Sequence, residues 1–254
     1  MGEVTAPLAG KVALVTGAAR RNGRATALAL AERGAAVVVN TRASIGEAEG
    51  VAEEIRARGG KAMALLADVT YEAQVAAMVA ETVSRFGRLD ILVNNAADRA
   101  IAPFLEMELS AWRSVMSIIL DGAFLCSRAA LPHMIAAGGG RIVNMGGVTA
   151  HIGAYQRAHV STAKAGIVGL TKALAVEFAE HNVTVNCVVP GKIGGQRSAT
   201  SGEPPSRPGG SPQPLGGGEG TVDQVAAMIV HLCLPASAFI TGQSIHISGG
   251  AYLP

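Results

Sequence analysis

The sequence predicts an α/β protein in which helices cover both faces of a parallel sheet. Short runs that are entirely apolar alternate with longer amphipathic stretches along the chain. The apolar runs lack the alternation of apolar and polar residues seen in half-exposed strands, so both of their faces are expected to be buried. Parallel strands need a crossover between them, and the amphipathic stretches predict helices that supply it.

The individual elements follow from these runs and from the glycines that close the helices. Strands are predicted at 12–15, 36–39, 62–67, 91–93, 142–145, 183–188 and 244–247. Helices are predicted at 23–33, 45–58, 71–86, about 110–136, about 157–180 and 222–233. Together they predict one Rossmann-type, doubly wound domain over residues 1–254, with about seven strands and an N-terminal arm over residues 1–10. In such a sheet, ligands bind beyond the carboxyl ends of the strands.

Composition narrows the class of protein. A formal net charge of +2, without any block of Lys and Arg, argues against nucleic acid or a membrane surface as a partner. Three widely spaced cysteines suggest neither a disulfide framework nor a metal site. The sequence shows no signal peptide and no run of about 18 apolar residues, so a cytoplasmic protein is expected.

One stretch, residues 191–220, breaks the alternation. It has no periodicity and contains five prolines, and loops of this kind are commonly functional lids or disordered segments. A domain linker is the alternative, but the short remainder of the chain favours a substrate lid. The basic residues Lys192, Arg197 and Arg207 slightly outnumber the acidic Glu203 and Glu219. This excess suits an anionic substrate, although a solvated loop explains it equally well.

A glycine-rich turn predicts a dinucleotide site near the N-terminus. Gly17 ends the first predicted strand and Gly23 opens the first predicted helix. Glycines let the backbone approach a diphosphate, and the N-terminus of a helix offers unpaired N–H groups to it. The position of the turn between a strand and a helix strengthens a signal that would be weak alone.

Further motifs, in a fixed order, identify a family. They are Thr16-Gly17 with Gly23, Asp68-Val69, Asn94-Asn95-Ala96-Ala97, Pro190-Gly191, Ile240-Thr241-Gly242-Gln243 and Gly249-Gly250. With them the chain resembles the short-chain dehydrogenases/reductases over about residues 10–250, most closely the 3-oxoacyl-carrier-protein reductases. The resemblance implies a nicotinamide dinucleotide cofactor and an oxidoreductase activity.

The resemblance also assigns the cofactor-binding residues. They are Gly17, Arg20, Arg21, Asn22, Gly23, Asn40, Thr41, Arg42, Asp68, Val69, Asn95, Ala96, Ala97, Lys164, Pro190, Gly191 and Ile193. Asp68 would contact the adenine, Asn95 would lie near a ribose, and Lys164 would hold the nicotinamide ribose. Arg21 stands where the family usually has glycine.

The choice between NAD and NADP depends on the residues after the second strand. Members that prefer NAD carry a carboxylate there, whereas this chain has Asn40-Thr41-Arg42. Arg42 and Arg20 could bind a 2′-phosphate, so the pattern resembles that of NADP-dependent members. Two solvated surface arginines are the alternative interpretation.

The family's catalytic residues are mostly replaced. The family uses a Ser, a Tyr, a Lys and an Asn. Lys164 matches the lysine, but the tyrosine position holds Val160, the serine position holds Gly147 and the asparagine position holds Ile119. Proton donation typically contributes about 10²–10⁴ in rate, and valine cannot donate.

Three residues near Lys164 are candidate replacements. His159 has a suitable unperturbed pKa of about 6.5 and is expected at the mouth of the cleft, although it points away from Lys164 on the helix. Tyr155 would come close only through a bent loop. Arg157 shares the helical face of Lys164 and could bind an anion.

The leading hypothesis is an NADP(H)-dependent oxidoreductase with an altered active site, acting on a small or medium organic substrate. One alternative is a lyase- or hydrolase-like enzyme that does not use NADP as a reductant. Another is a non-catalytic NADP-binding protein. The resemblance further implies a homotetramer, or a homodimer, formed through the helices at 110–136 and 157–180.

Overall fold

Seven parallel strands form one sheet, in the order β3-β2-β1-β4-β5-β6-β7. The structure is a computed structural model that describes residues 6–194, 215 and 218–254. The strands are β1 Val12–Val15, β2 Ala36–Thr41, β3 Ala62–Leu66, β4 Ile91–Asn94, β5 Gly140–Met145, β6 Val183–Pro190 and β7 Ser244–Ile247. The strand order reverses between β1 and β4, which is where a doubly wound sheet opens a crevice for a ligand.

Eight α-helices connect the strands in the described residues. They are α1 Arg21–Glu32, α2 Ile45–Ala57, α3 Glu72–Phe86, α4 Leu109–Met116, α5 Gly122–Ala136, α6 Thr149–Ile152, α7 Ala158–Glu177 and α8 Val222–Cys233. The predicted fold class is confirmed, and the predicted elements differ from the observed ones mainly at their ends. The short helix α6 was missed, because four residues carry no periodic pattern.

The two faces of the sheet explain why its strands are mostly apolar. Val15 and Val39 belong to one core cluster, with residues of α1, α2 and α8. Leu14 and Val38, their neighbours in sequence, belong to a second cluster with residues of α3, α5 and α7. Because side chains alternate along a strand, both sets must be apolar when helices cover both faces.

The long helix predicted at about 110–136 is interrupted. A π-helical turn, Ser117–Asp121, separates α4 from α5. By length and composition alone, the stretch Leu109–Ala136 could cross a membrane, with a mean hydropathy of 1.5. However, Cys126 and Met134, which belong to the α5 part of this stretch, are fully buried in the core. Packing against the sheet therefore accounts for its apolar character.

The region proposed as a lid is described at its two ends and at Leu215. Ile193 and Gly220 pair as an isolated parallel bridge. Two backbone hydrogen bonds join the same ends, from Gly194 to Gly220 at 2.9 Å and from Gly220 to Lys192 at 2.9 Å. Arg197, Glu203 and Arg207 lie outside the described residues, so the lid itself and its charge remain predictions.

Candidate functional site

The residues predicted to bind a ligand lie along one edge of the sheet. Thr16 follows β1, Asn95 follows β4, Gly146 follows β5 and Gly191 follows β6. Because all these strands are parallel, their carboxyl ends meet at the same edge. This edge has two parts: the cradle, which is residues 16–23 with Asn40 and Asn95, and the chemistry end, which is residues 145–149 with Ile119, Val160 and Lys164.

The glycines of the cradle are required by close contacts. Gly17 has φ +59, a left-handed conformation that favours glycine. A Cβ on Gly23 would lie 2.5 Å from the Gly17 carbonyl oxygen and 2.6 Å from Asn95 Nδ2. No side chain fits in either place without moving the backbone, so both positions are restricted to glycine.

Asn95 braces the cradle from the neighbouring strand. Its Nδ2 donates to the carbonyl oxygens of Thr16 at 2.8 Å and Gly17 at 2.9 Å. The backbone N–H groups of Asn95 and Ala96 donate to Thr16 Oγ1 at 2.9 and 3.0 Å. These bonds fix the turn relative to β4. The amide of Asn95 is therefore committed to the protein, and its contact with a ribose stays a prediction.

Asn40 braces the cradle from the other side. This buried side chain accepts from the Gly17 N–H at 3.3 Å and donates to the Ala67 carbonyl oxygen at 3.0 Å. The Ala18 N–H also donates to the Asn40 carbonyl oxygen, at 2.8 Å. Asn40 thus joins β2, β3 and the glycine-rich turn, a supporting role that sequence reasoning did not separate from cofactor contact.

The first turn of α1 suits an anionic group. No side chain caps this helix, and its first turn holds no acidic residue. Uncapped N–H groups and the positive end of the helix dipole favour a phosphate there. Asn22, in the same turn, is buried, and its Oδ1 has no hydrogen-bond partner among the described residues. The close-packed glycine turn and this helix start together fit a dinucleotide diphosphate.

Arg21 takes the left-handed conformation that the family gives to glycine, with φ +48. Such a conformation costs an L-residue roughly 1–2 kcal/mol. The Arg21 guanidinium reaches across the cradle, and Nη2 donates to the carbonyl oxygens of Ile193 and Gly194, at 3.1 Å each. Arginine at position 21, where the family usually has glycine, therefore makes a specific long-range contact.

Arg20 lies against a carboxylate that sequence reasoning missed. Its guanidinium forms a bidentate ion pair with Glu47, in the first turn of α2, and also approaches Ser44. The hydrogen bond to Glu47 raises the pKa of Arg20, and Arg20 lowers the pKa of Glu47. Arg42 is exposed, without a hydrogen bond among the described residues. The signal available in the sequence was an acidic residue shortly after Arg42.

Other predicted cofactor residues also have structural partners. Asp68 Oδ1 accepts from the N–H of Thr70 at 3.0 Å and from its hydroxyl at 2.8 Å. Val69 is buried, at the end of the same strand-to-helix loop. The remaining positions lie at the same edge: Thr41 ends β2, Ala96 and Ala97 follow β4, and Pro190 and Gly191 close β6.

At the chemistry end, Lys164 is buried, with only 8% of its surface exposed. Its Nζ donates to the carbonyl oxygen of Met145, the last residue of β5. Burial lowers the pKa of Lys164 to about 8, with Cys187 opposing and Arg99 adding to the shift. The same burial raises the pKa of the Cys187 thiol to about 11. Lys164 is therefore a cation that gives up its proton more readily than a surface lysine.

The positions that the family resemblance assigns to Tyr and Asn are packed into an apolar cluster. Val160 and Ile119 are 5% and 3% exposed and share this cluster with Val115, Ile167 and Val189. Ile119 lies within the π-helical turn, a feature often found at functional sites. Neither side chain can donate a proton.

The serine position, by contrast, has free space beside a hydroxyl group. A Cβ on Gly147 would lie 3.6 Å from Thr149 Oγ1 and 3.9 Å from Lys164 Cγ, both ordinary contacts. Thr149 opens the short helix α6 and is half-buried. Sequence reasoning missed Thr149 because no family position points to it. It brings a hydroxyl close to the place that the missing serine would occupy.

The three residues predicted to replace the missing catalytic groups differ in how exposed they are. His159 was expected at the mouth of the cleft, but this expectation is wrong, since its side chain is 0% exposed. The reason is that α7 begins at Ala158, so His159 lies in the packed first turn of the helix. Burial lowers the pKa of His159, Asp98 opposes this, and Arg157 adds to it. Tyr155 is 53% exposed, and Arg157 is half-buried at the N-cap of α7.

Comparisons with known proteins agree with this geometry. A family model described as enoyl-(acyl carrier protein) reductase matches residues 17–252. The chain is 40% identical over 250 residues to a 3-oxoacyl-(acyl-carrier-protein) reductase of Synechocystis sp., covering 96% of this chain and 97% of that relative. It is 38% identical over 244 residues to the enzyme of that name from Staphylococcus aureus, with coverage of 96% and 98%.

Solved structures give the same result. Acetoin dehydrogenase from Salmonella typhimurium superposes with a TM-score of 0.85 at 33% identity, over 94% of this chain and 95% of that one. A short-chain dehydrogenase/reductase of Serratia marcescens gives 0.86 at 32% identity, over 96% and 99%. Because these matches span nearly the whole chain, the protein belongs to the short-chain dehydrogenase/reductase family of oxidoreductases.

Proposed function

We propose that this chain is an NADP(H)-dependent oxidoreductase that acts on a small or medium organic substrate through an altered active site. The observation that carries the proposal is a braced glycine cradle at the same sheet edge as a buried lysine. Gly17 and Gly23 let the turn pack closely beside the uncapped start of α1, whose free N–H groups would bind a diphosphate. The likeness to 3-oxoacyl-(acyl-carrier-protein) reductases makes a 3-oxoacyl thioester one substrate to test.

The chain's own residues would hold the dinucleotide at three places. Backbone amides of the cradle would bind the diphosphate, Arg20 and Arg42 would bind the 2′-phosphate, and Lys164 would bind the nicotinamide ribose. When bound, the nicotinamide supplies or accepts a hydride. The described residues offer no acidic side chain directly after β2, which favours NADP(H) over NAD(H).

In this proposal Lys164 and Thr149 take the roles of the family's tyrosine and serine. Lys164 Nζ, with its pKa lowered to about 8, supplies the proton that balances the charge developing on the substrate. Thr149 Oγ1 donates a hydrogen bond to the substrate oxygen, in place of the family's serine. Lys164 Nζ already donates to the carbonyl oxygen of Met145 and lies one helical turn from the position assigned to the family's tyrosine, so activated alkenes or imines, which need less help from a positioned acid, are better substrates than simple ketones.

The test is consumption of NADPH, followed by nicotinamide absorbance, with a panel of enones, imines, ketones and 3-oxoacyl thioesters. Thr149→Val removes the hydroxyl and keeps the shape, so turnover should fall about 100-fold, as when one oxyanion donor is lost. Thr149→Ser retains the hydroxyl and should keep most of the activity. Failure of the entire panel to oxidise NADPH would contradict the proposal.

A non-catalytic NADP-binding protein is the second candidate. The observation that favours it is the apolar packing of Val160 and Ile119, which removes the family's proton donor and its asparagine together. This candidate predicts tight NADPH binding with no turnover on any substrate. A lyase- or hydrolase-like reaction would instead appear as substrate loss without a change in nicotinamide absorbance.

We also propose that the protein is a cytoplasmic homotetramer or homodimer. Large apolar side chains are exposed on the helices that the family resemblance assigns to its interfaces, including Leu109 on α4, Phe124 on α5 and Val176 on α7. Burying them between copies would stabilise an oligomer. Sedimentation equilibrium of the purified chain tests this, and a monomer at micromolar concentration would count against it.

A further inference from the structure

Two short segments, residues 192–194 and residues 218–220, meet beside the cradle and together form the neck. The Ile193–Gly220 bridge and two backbone hydrogen bonds of 2.9 Å hold them together. Ile193 packs against the core cluster that contains residues of α1 and α8. Helix α8 begins directly after it, at a Thr221–Gln224 capping box. The neck is therefore an ordered unit joined to the core.

A side chain of the glycine-rich turn, Arg21, contacts the neck directly. Arg21 Nη2 donates to the carbonyl oxygens of both Ile193 and Gly194, at 3.1 Å each. These residues are more than 170 positions apart in the sequence, so no local preference explains the contact. Bonds from a charged donor to two backbone acceptors are stronger than neutral ones. A Lys192–Glu219 ion pair of 2.9 Å also lies in the neck, but it is exposed and contributes little.

The backbone of Arg21 gives independent support. Its φ of +48 is unfavourable for any residue with a Cβ, and glycine would avoid this strain. A strained residue persists when its surroundings hold it in place, and such residues cluster at functional sites. Here the strain is maintained together with a side-chain contact that glycine could not make. The hydrogen bonds of Arg21 to Ile193 and Gly194 thus offset the cost of its positive φ.

We propose that Arg21 is a positioning residue that fixes the neck over the dinucleotide cradle. Held by Arg21, the backbone of Ile193 and Gly194 presents one fixed surface to the cofactor. Without Arg21, the neck would open more often, and the cofactor would be bound less tightly and released faster. The effect on the cofactor rests on the proposed function, whereas the effect on the neck does not.

The first measurement is hydrogen exchange of the full chain without cofactor. The Gly194 and Gly220 amides report the neck, and the Gly146 amide, bonded to the Val188 carbonyl oxygen, reports the sheet. Arg21→Gly should accelerate exchange in the neck about tenfold, because a charge-assisted contact is lost, and leave the sheet unchanged. Arg21→Asn should do the same, since asparagine tolerates a positive φ but cannot reach the carbonyls.

Control variants separate this role from other effects of charge. Lys192→Met removes the exposed ion pair of the neck and should leave neck exchange within about twofold. Arg20→Gln removes a positive charge from the same turn and should not alter neck exchange. Neck exchange equal to that of the wild type in both Arg21 variants would overturn the proposal. So would acceleration in Arg21→Gly alone, because glycine flexibility would then explain it.

The second measurement is NADPH dissociation by stopped-flow fluorescence. Both Arg21 variants should release NADPH about tenfold faster than the wild type, and Lys192→Met should match the wild type. If the wild type binds no dinucleotide, the proposed function fails while the exchange result still decides the role of Arg21. If NADPH binds and the variants release it at the wild-type rate, the positioning role is wrong.

Discussion

The cradle and the chemistry end lie along one sheet edge but are held together by different forces. In the cradle, Asn40 and Asn95 bind backbone groups of the glycine-rich turn through hydrogen bonds between 2.8 and 3.3 Å. At the chemistry end, Val160 and Ile119 pack in an apolar cluster, and Lys164 is a buried cation beside them. The cradle is stabilised by paired polar groups, and the chemistry end mainly by apolar packing.

This difference explains which residues can change. Removing one partner of a buried hydrogen bond leaves the other unpaired and costs about 1–3 kcal/mol, so the cradle restricts its residues strongly. An apolar cluster accepts side chains of similar volume with smaller losses. Apolar residues at positions 119 and 160 are therefore compatible with the fold. Binding of a dinucleotide and chemistry on a substrate are then separable properties, and mutations can test each alone.

The largest effect is expected from filling the cradle. A Cβ introduced by Gly23→Ala would lie 2.5 Å from the Gly17 carbonyl oxygen, so the turn must shift and its bonds to Asn95 must break. NADPH affinity should fall at least about 100-fold, equivalent to about 2.7 kcal/mol, measured by fluorescence titration. Gly169→Ala in α7 has open space and is the control. Unchanged affinity in Gly23→Ala would show that the dinucleotide does not lie in the cradle.

A second test restores the family's residues at the chemistry end. Gly147→Ser adds a Cβ whose nearest contact lies at 3.6 Å, so stability should hardly change. Val160→Tyr overfills a buried position and should lower the free energy of unfolding by about 1–3 kcal/mol. The double variant should reduce a ketone or 3-oxoacyl thioester about 100-fold faster than the wild type.

The single variants provide the comparison for that restoration. Gly147→Ser alone should gain little, because a serine without the tyrosine leaves no strong proton donor. Equal rates for the double variant and the wild type, with NADPH still bound, would mean that the chemistry end differs by more than these side chains.

Lys164 gives a prediction for stability against pH. Its pKa is lowered from 10.5 to about 8 by burial, so the unfolded chain binds the proton more strongly than the folded one. The free energy of unfolding should therefore be lowest below about pH 8 and rise as the pH increases toward 10.5. Relative to Lys164→Met, the wild type should gain on the order of 2–3 kcal/mol over this range.

Urea denaturation of both proteins at several pH values measures this difference, and groups shared by the two proteins cancel. A parallel pH dependence of the wild type and Lys164→Met would contradict the depressed pKa. It would also remove the basis for Lys164 as a proton source.

The sequence predicted the fold closely, because its signals are local and repeated. Each apolar strand and each closing glycine could be identified from a few neighbouring residues, and the parallel sheet follows from their alternation. The motif positions at the carboxyl ends of the strands follow from the same rule. Helix ends were less certain, and the π-helical turn near Ile119 has no signature in composition.

The site was predicted in its positions but not in its contacts. Asn40 and Asn95 were expected to touch a cofactor, and the structure shows that they brace the turn. The burial of His159 could not be foreseen, since it depends on where α7 begins. Thr149 and the Arg21 contact were also hidden, because both depend on distances between segments that are far apart or irregular.

The smallest expected effect concerns the choice between NADP and NAD, which depends on Arg20 in the cradle. Glu47 binds Arg20 with both oxygens, so in the proposed function it would compete with a 2′-phosphate for the same guanidinium. Glu47→Gln should lower the NADPH dissociation constant about threefold to tenfold and leave that of NADH nearly unchanged, because the pair is exposed and solvent weakens it. Glu49→Gln is the matched control, since Glu49 lies on the same helix and pairs with Arg56 instead. An equal change for both dinucleotides, or an equal change in both variants, would mean that Glu47 acts only through the general charge of α2. A shift confined to Glu47→Gln and NADPH would place Arg20 at the 2′-phosphate.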